Sequence, residues 1–151
     1  KPHFIFYDGW MLLARGVEDE RVFESGLPGL KDAEDVAFAK QMNLQLKRYE
    51  RIWDEFINYR ILLYVPDYHI SVEWRDQAEQ SLRERSRGMT TEQIREFVYY
   101  FWRSVHPDIQ IRNLAIDEQI DHIVVIGNNH EIIDVEKPGS DRLHEWLKAS
   151  S

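Results

Sequence analysis

The chain has 151 residues, of which 43% are hydrophobic and 13% aromatic, a composition typical of one globular domain with a hydrophobic core. Its formal net charge of −8 disfavours nucleic acid as a partner, because nucleic-acid binders usually present a basic surface to the phosphates. The sequence has no cysteine, which excludes disulfides and thiolate chemistry, and no apolar run of the ~20 residues that span a membrane. We therefore expect no membrane partner and a cytoplasmic chain, or one in the plastid stroma if the source is a plant.

The first predicted element is a strand in the apolar run from His3 to Leu12. Both of its faces are apolar, which is typical of a central strand buried inside a sheet. Asp8 and Gly9 end its most apolar part, and α/β folds place their ligands at the carboxyl ends of strands. Asp8 is thus either a magnesium ligand or a turn residue. Because the strand follows Lys1-Pro2 directly, we expect a chain that begins in the middle of a fold.

A long helix is predicted to begin near Asp32, which suits the N-cap position. Five apolar residues follow at spacings of four and three and predict a stripe facing the core: Met42, Leu46, Tyr49, Trp53 and Phe56. A second apolar run, from Arg60 to Asp67, predicts another strand buried on both faces. Two such strands joined by a helix predict a right-handed crossover and a parallel sheet.

The stretch from Val72 to Val98 joins two predicted helices through a break at Gly88. The first helix is highly charged and has a thin apolar face, whereas the second has a capping pattern at Thr90 and Gln93 and a broad aromatic stripe. The stretch is either a solvated helix–turn–helix or a mobile lid over an anionic ligand. The arginines that would serve the lid are Arg75, Arg83, Arg85 and Arg87.

The end of the chain predicts a β-hairpin of strands His122–Ile126 and Glu131–Val135, followed by a short helix. We expect a single α/β domain over residues 1–151. No G-x-x-x-x-G-K-[ST] phosphate loop occurs, and no two histidines have a metal-site spacing. Asp67 and His69 follow a strand and are a weak candidate for an acid–base pair.

Several segments match one family in the same order along the chain. They are Asp8-Gly9-Trp10-Met11-Leu12, Asn43 to Tyr49 with Trp53, Trp74-Arg75 with Gln77 and Glu79, Gly88-Met89-Thr90, and Phe97-Val98. They resemble the D-glycerate 3-kinase family of P-loop kinases, relatives of uridine kinase and phosphoribulokinase. The resemblance covers roughly Phe4 to Pro107, and it identifies the chain as the C-terminal part of such a kinase.

The resemblance implies part of a three-layer P-loop-kinase-like fold, with a short and mainly parallel sheet flanked by helices and a C-terminal hairpin. It implies transfer of phosphate from ATP, with Mg2+, to a small hydroxy acid such as D-glycerate. The implied residues are Asp8 and Arg75 for catalysis, Asp8 for Mg2+ directly or through water, Trp10 and Arg15 for the substrate, and the lid residues Arg83, Arg85 and Arg87 for the nucleotide.

Among the departures of the chain from the family, two bear most directly on activity. Asp8 stands where the family has Glu, and the N-terminal half with the phosphate loop is missing. We therefore expect the isolated chain to be inactive, with the missing half or a second copy as its partner. The alternative is a non-catalytic, kinase-derived binding or regulatory module that covers an exposed sheet edge by association.

Overall fold

A computed structural model describes residues 3–9, 11–84 and 87–149. Within these ranges a 3-10 helix spans Glu20–Glu24 and a π-helix spans Pro107–Ile111. None of the helices in the described ranges is long and apolar enough to cross a membrane. The remaining elements are α1 (Ala33–Phe56), β1 (Ile61–Tyr64), α2 (Ile70–Arg83), α3 (Thr91–Ser104), α4 (Arg112–Ala115), β2 (His122–Ile126), β3 (Ile132–Glu136) and α5 (Asp141–Ala149).

The three strands form one sheet in the order β1-β2-β3. β1 pairs with β2 in parallel, with Leu62 opposite Ile123, and β2 pairs with β3 antiparallel, with Val124 opposite Val135. The sheet is thus mixed, with a single parallel pair. The prediction of an α/β fold with a small sheet, flanking helices and a C-terminal hairpin is confirmed.

One face of the sheet, here called the inner face, carries the main hydrophobic core. Tyr64 of β1 and Ile123 and Val125 of β2 are buried on this face. The helices cover it with Leu114 and Ala115 from α4, Leu143 and Leu147 from α5, and Trp53 near the end of α1. The periodicity of two in β2 therefore directs alternate residues into the core.

The structure corrects the prediction of two strands buried on both faces. Residues 3–9 form no strand, and Phe6 is 94% exposed. In β1, Ile61 and Leu63 are 53% and 61% exposed. A strand exists only beside a hydrogen-bonding neighbour, and no described residue pairs with residues 3–9. The expected crossover from residues 3–12 to β1 is therefore absent, and the parallel pair is β1 and β2.

The predicted helix starts are confirmed. The Asp32 side chain accepts hydrogen bonds from the backbone N–H groups of Glu34 and Asp35, and Thr90 and Gln93 form a reciprocal capping box. The predicted core stripe of α1 is only partly buried, since Leu46 is buried whereas Phe56 is 70% exposed. Spacing identified the apolar stripe, but it did not indicate how much of the helix the rest of the protein covers.

Candidate functional site

The carboxyl ends of the parallel strands β1 and β2 lie at the same end of the sheet. Asp67 and His69 follow β1 and lead into α2, and the turn from Gly127 to His130 follows β2. Ligands of α/β folds bind at this end of parallel strands. We therefore take this end of the sheet, together with α2, as the candidate site.

Asp67 and His69 form a local pair at this end of the sheet. One oxygen of the Asp67 carboxylate accepts hydrogen bonds from the His69 backbone N–H at 3.0 Å and from its Nδ1 at 2.9 Å. This geometry places the imidazole proton on Nδ1, so that Nε2 can accept a proton. The two side chains are about 60% exposed. The geometry thus fits the prediction of an acid–base pair, while a catalytic role for the pair stays a prediction.

A buried aromatic cluster lies beneath this pair. Tyr68 stacks on the His69 ring at 4.1 Å and meets Trp102 of α3 edge-on at 4.9 Å. Burial, with Asp108 beside the hydroxyl, raises the pKa of Tyr68 to about 12, and burial also raises the pKa of Asp108. His106 is 1% exposed, and burial lowers its pKa to about 4. The pKa values of about 12 for Tyr68 and about 4 for His106 keep both of these side chains uncharged near pH 7.

His106 has a defined tautomer in this cluster. Its Nε2–H donates to the Pro28 carbonyl at 3.1 Å, and its Nδ1 accepts from the Asp108 backbone N–H at 3.2 Å. Protonating Nδ1 would break the second bond. The bond to the Pro28 carbonyl joins the segment after α3 to the loop before α1 in either protonation state, whereas the bond from the Asp108 N–H needs the neutral ring.

A stacked pair connects α2 to the turn after β2. The rings of Trp74 and His130 stack with centroids 4.1 Å apart, and the Trp74 Nε1–H donates to the Asn128 carbonyl at 2.9 Å. From the sequence, residues 127–130 were interpreted only as a turn, and His130 was assigned no role. The position of this histidine in the turn after a buried strand was the sequence feature that could have identified it.

Arg75 projects from α2 one residue after Trp74. Its Nη2 donates to the Glu79 carboxylate at 2.5 Å, and its guanidinium lies 4.9 Å from the centroid of the Phe97 ring. The Nε of Arg75 is buried without a hydrogen-bond partner in the described part of the chain, whereas the side chain as a whole is 39% exposed. The guanidinium is therefore held on one side and has donors left for another anion.

Polar contacts link the two sides of the predicted lid break at Gly88. Glu79 is 4% exposed, and its second carboxylate oxygen accepts from the Met89 backbone N–H at 3.0 Å. A Cβ on Gly88 would lie 2.6 Å from the Arg83 Cγ and 2.8 Å from the Glu79 carbonyl oxygen. Only glycine fits so close an approach of the two chain segments. The mobility of the lid over residues 72–98 stays a prediction.

Arg83 also links the two sides of this break. Its two terminal nitrogens contact both carboxylate oxygens of Asp76 at 2.9 and 3.0 Å, and one of them also donates to the Met89 carbonyl. The Asp76 carboxylate raises the pKa of Arg83, and Arg83 in turn lowers that of Asp76. The guanidinium of Arg83 is thus engaged by groups of the chain, an arrangement that does not favour its predicted role in nucleotide binding.

The other predicted site residues are spread over the molecule. Arg87 has an exposed side chain directly before Gly88, and its backbone N–H donates to the Leu82 carbonyl. Asp8 is exposed in the irregular segment 3–9. Trp10 and Arg85 lie outside the described residues. The described contacts of Arg75 are with Glu79 and Phe97, while its neighbour Trp74 contacts the turn after β2. The role of Arg75, like the roles of the other predicted site residues, stays a prediction.

Arg15 lies at the opposite end of the sheet from the candidate site. Its guanidinium pairs with Asp54 at 2.5 Å and with Asp117 at 2.9 Å, and it donates to Gln119 at 2.9 Å. These partners precede β1 and β2, so the cluster lies at the amino ends of the strands. The hydrogen bond from Arg15 lowers the pKa of Asp54. The predicted contact of Arg15 with a substrate carboxylate therefore has no geometric support.

A cavity of about 580 Å3 lies beside the 3-10 helix and the π-helix, and Asp108 of its lining is next to the Tyr68 hydroxyl beneath the candidate site. Three carboxylates line it, those of Glu18, Asp19 and Asp108. Such a lining repels phosphates and carboxylates. The cavity therefore does not suit an anionic ligand, and we prefer the carboxyl ends of the strands on chemical grounds.

Magnesium was predicted at Asp8. The described residues contain no group of three or more His, Asp or Glu side chains that could hold a metal ion. Mg2+ in kinases is often bound by one or two carboxylates together with substrate phosphates. The described part of the chain thus does not form a complete metal site by itself, and no catalytic step is assigned here to a metal ion.

Comparison with known proteins supports the fold. No protein-family model matches the chain, and no curated protein sequence matches it. A solved structure of D-glycerate 3-kinase from Cryptococcus neoformans var. grubii serotype A matches 85% of the chain with a TM-score of 0.70 and 21% sequence identity. The chain spans about half of that kinase, 48% of its length. The predicted resemblance is confirmed in the fold, which this chain shares with about half of a D-glycerate 3-kinase.

Proposed function

We propose that this chain is the lid-bearing part of an ATP-dependent kinase that phosphorylates a small hydroxy acid such as D-glycerate. The match of 85% of the chain to a D-glycerate 3-kinase at a TM-score of 0.70 carries the proposal. The position of Arg75 on α2 supports it, because the preceding residue Trp74 contacts the turn that follows β2. The remainder of the kinase, including its phosphate loop, lies outside these 151 residues.

In the proposed reaction the substrate hydroxyl attacks the terminal phosphorus of ATP. The bond from that phosphorus to the bridging oxygen breaks, ADP leaves, and the hydroxyl proton passes to a base. Negative charge develops on the phosphoryl oxygens, and a positioned guanidinium stabilises it. Arg75 is suited to this role because Glu79 and Phe97 fix its orientation while its side chain remains 39% exposed.

The lid residues divide into two roles in this proposal. Arg83 positions the break at Gly88 through its contacts with Asp76 and Met89, rather than binding the nucleotide. Arg87, with its exposed side chain, and Arg85 are proposed to meet the ATP phosphates. Asp8 is proposed to lie near Mg2+ and the reacting oxygen, and Trp10 to shape the substrate site.

The test is an ATP-to-ADP assay with D-glycerate on two samples, the native protein isolated from its source cells and the isolated 151-residue chain. We expect turnover by the native protein and none above the blank for the isolated chain. Turnover by the isolated chain would contradict the need for a further half. A native protein that forms no ADP with D-glycerate or other small hydroxy acids would contradict the kinase proposal itself.

A second candidate is a kinase-derived binding or regulatory module without catalysis. The internal pairing of Arg15, Arg75 and Arg83 favours it, because three of the five arginines predicted to bind ligands contact carboxylates of the chain. This candidate predicts a native protein that is inert toward ATP but associates stably with itself or a partner. The same assay, together with the native mass, distinguishes the two candidates.

A further inference from the structure

His130 lies in the turn between β2 and β3 with a backbone φ of 64°. This left-handed conformation is easiest for glycine, and asparagine adopts it more readily than bulky side chains do. The turn would therefore accept a smaller residue, and the exposed position of His130 shows that burial does not require the histidine either. What the imidazole adds is its stack on Trp74 of α2.

Hydrogen bonds of the turn itself fix the position of His130. The His130 N–H donates to the Gly127 carbonyl at 3.1 Å, and the Gly127 N–H donates to the Glu131 carbonyl at 2.8 Å. The Glu131 carboxylate also accepts from the Asn129 N–H at 2.9 Å. Backbone groups that are paired in this way hold a turn in one conformation. The turn thus offers a fixed surface against which a helix can be placed.

Trp74 holds α2 against this surface. Its ring lies 4.1 Å from that of His130 at an interplanar angle of 24°, and its Nε1–H donates to the Asn128 carbonyl at 2.9 Å. A stacked ring together with an indole hydrogen bond fixes both the position and the rotation of the side chain. Adjacent residues of a helix point about 100° apart. Trp74 therefore faces the turn while Arg75 faces α3, where it lies over Phe97.

This contact determines where Arg75 lies relative to the sheet. Glu79 and Phe97 hold its guanidinium relative to α2 and α3, but neither of these two residues belongs to the sheet or to the turn after β2. Trp74, the residue before Arg75, contacts that turn. Ligands of α/β folds bind at the carboxyl ends of the strands. The distance between Arg75 and a ligand bound there thus depends on the contact of Trp74 with the turn.

We propose that His130 is a positioning residue, which through Trp74 holds the start of α2, and with it Arg75, at the carboxyl end of β2. The inference rests on the proposed function, in which Arg75 stabilises the charge on the transferred phosphoryl group. His130 acts here through Arg75 and not by contact with the substrate. Its loss should therefore weaken an interaction of the transition state rather than the binding of ATP or of the hydroxy acid.

The test measures kcat and KM of the native protein, expressed in its source cells, for two variants of His130. His130→Asn suits a φ of 64° but lacks the ring, whereas His130→Phe keeps a ring for the stack but adopts this φ less readily. His130→Asn should lower kcat about 10-fold and change KM by less than about 2-fold, because a small displacement of a catalytic group is costly. His130→Phe should retain kcat within about 3-fold of the wild-type value.

The comparison of these two variants separates positioning from stability. If the ring positions Arg75, kcat follows the presence of the ring, although Asn is the better residue for the backbone of the turn. Equal kcat values for His130→Asn and His130→Phe would overturn the proposal. His144→Asn is the matched control, because it makes the same change at an exposed histidine of α5 and should leave kcat and KM unchanged.

A double variant tests whether His130 acts through Arg75. In the Arg75→Ala protein the further change His130→Asn should lower kcat by less than about 2-fold, because the group that it positions has been removed. A further loss of about 10-fold in the double variant would show that the two residues act independently. That result would also overturn the proposal.

The outcomes separate this inference from the proposed function. A wild-type protein that forms ADP, together with a His130→Asn protein of the same kcat, would disprove the positioning role and leave the kinase. A native protein that forms no ADP with D-glycerate or other small hydroxy acids would disprove the proposed function, and with it the role of His130 in that reaction.

Discussion

The α2–α3 unit, residues 67–84 and 87–106, differs from the sheet face opposite the core in which side chains find partners within the chain. We call this face, which carries Leu63, Val124 and Val135 side by side, the outer face. In the α2–α3 unit charged groups find partners within the chain, since the carboxylate of Glu79 and the guanidinium of Arg83 both contact Met89 across the Gly88 break. On the outer face the apolar side chains Leu63 and Ile132 turn toward solvent. Composition alone favours the reverse, with solvated charges and buried apolar residues.

The difference is that the α2–α3 unit pairs its charged groups within the chain, whereas the outer face leaves apolar side chains exposed. Because the contacts of the α2–α3 unit lie within the chain, substitutions there should lower the stability of the isolated chain. The exposed side chains of the outer face lose little burial on substitution, so changes there should leave the stability of the isolated chain nearly unaffected. The following predictions test this contrast in order of decreasing effect.

The largest expected effect is the acid sensitivity of the α2–α3 unit. His106 accepts a proton near its ordinary pKa of 6.5 when unfolded but near 4 when folded, so the unfolded state binds more protons between these values. The free energy of unfolding should hold above pH 6.5 and fall by about 3 kcal/mol as the pH is lowered to 4. Urea titrations at several pH values measure this fall.

Two neighbours of His106 modify the size of the effect. His69 adds positive charge that opposes protonation, and the raised pKa of Asp108 offsets part of the loss near the acid end. The control is His144→Gln, which removes an exposed histidine of α5 and should leave the slope unchanged. A free energy of unfolding that is constant between pH 7 and pH 5 would contradict the prediction.

Arg75→Ala should lower kcat of the native protein about 100-fold, or about 2.7 kcal/mol, because a positioned donor to the developing charge is lost. The ADP-formation assay measures this, and the thermal midpoint recorded in parallel shows whether the variant is folded. Arg51→Ala is the control, since Arg51 is an exposed arginine of α1. A folded Arg75→Ala protein with wild-type kcat would remove Arg75 from the mechanism.

Glu79→Ala should destabilise the isolated chain by about 2 kcal/mol, because it leaves the Met89 N–H and the Arg75 guanidinium without their acceptor. Glu79→Gln should cost less, about 1 kcal/mol, since its amide oxygen can still accept from Met89. Denaturant unfolding of the two variants gives both values. Equal losses would indicate that the charge of Glu79, rather than its bond to Met89, stabilises the break.

Gly88→Ala should cost about 1 to 2 kcal/mol, because the added Cβ would lie 2.7 Å from the Arg83 backbone nitrogen and 2.8 Å from the Glu79 carbonyl oxygen. Gly9→Ala is the matched control, since its Cβ would meet only Leu12 at an ordinary 3.5 Å. Thermal unfolding of both variants provides the comparison. A Gly88→Ala chain as stable as the Gly9→Ala chain would show that the break tolerates expansion.

Local signals in the sequence predicted much of the fold. The N-cap at Asp32, the capping box at Thr90 and the strand His122–Ile126 were found because each depends on residues within one turn or one strand. The state of Leu63 and the pairing of Arg15 were not predictable. An apolar run indicates that a strand tends to be covered, but it does not show whether a covering element is present. The Asp54 carboxylate that pairs with Arg15 is 39 residues away in the sequence, so local patterns do not reveal the pair.

Ile132→Glu should change the free energy of unfolding of the isolated chain by less than about 0.5 kcal/mol, because a side chain that is 66% exposed loses little burial. Ile123→Ala, on the inner face, should cost about 2–5 kcal/mol, since Ile123 is fully buried and its truncation leaves a cavity. Denaturant unfolding measures both. If Ile132→Glu cost as much as Ile123→Ala, the outer face would already be covered within the chain, and the contrast between the two regions would not hold.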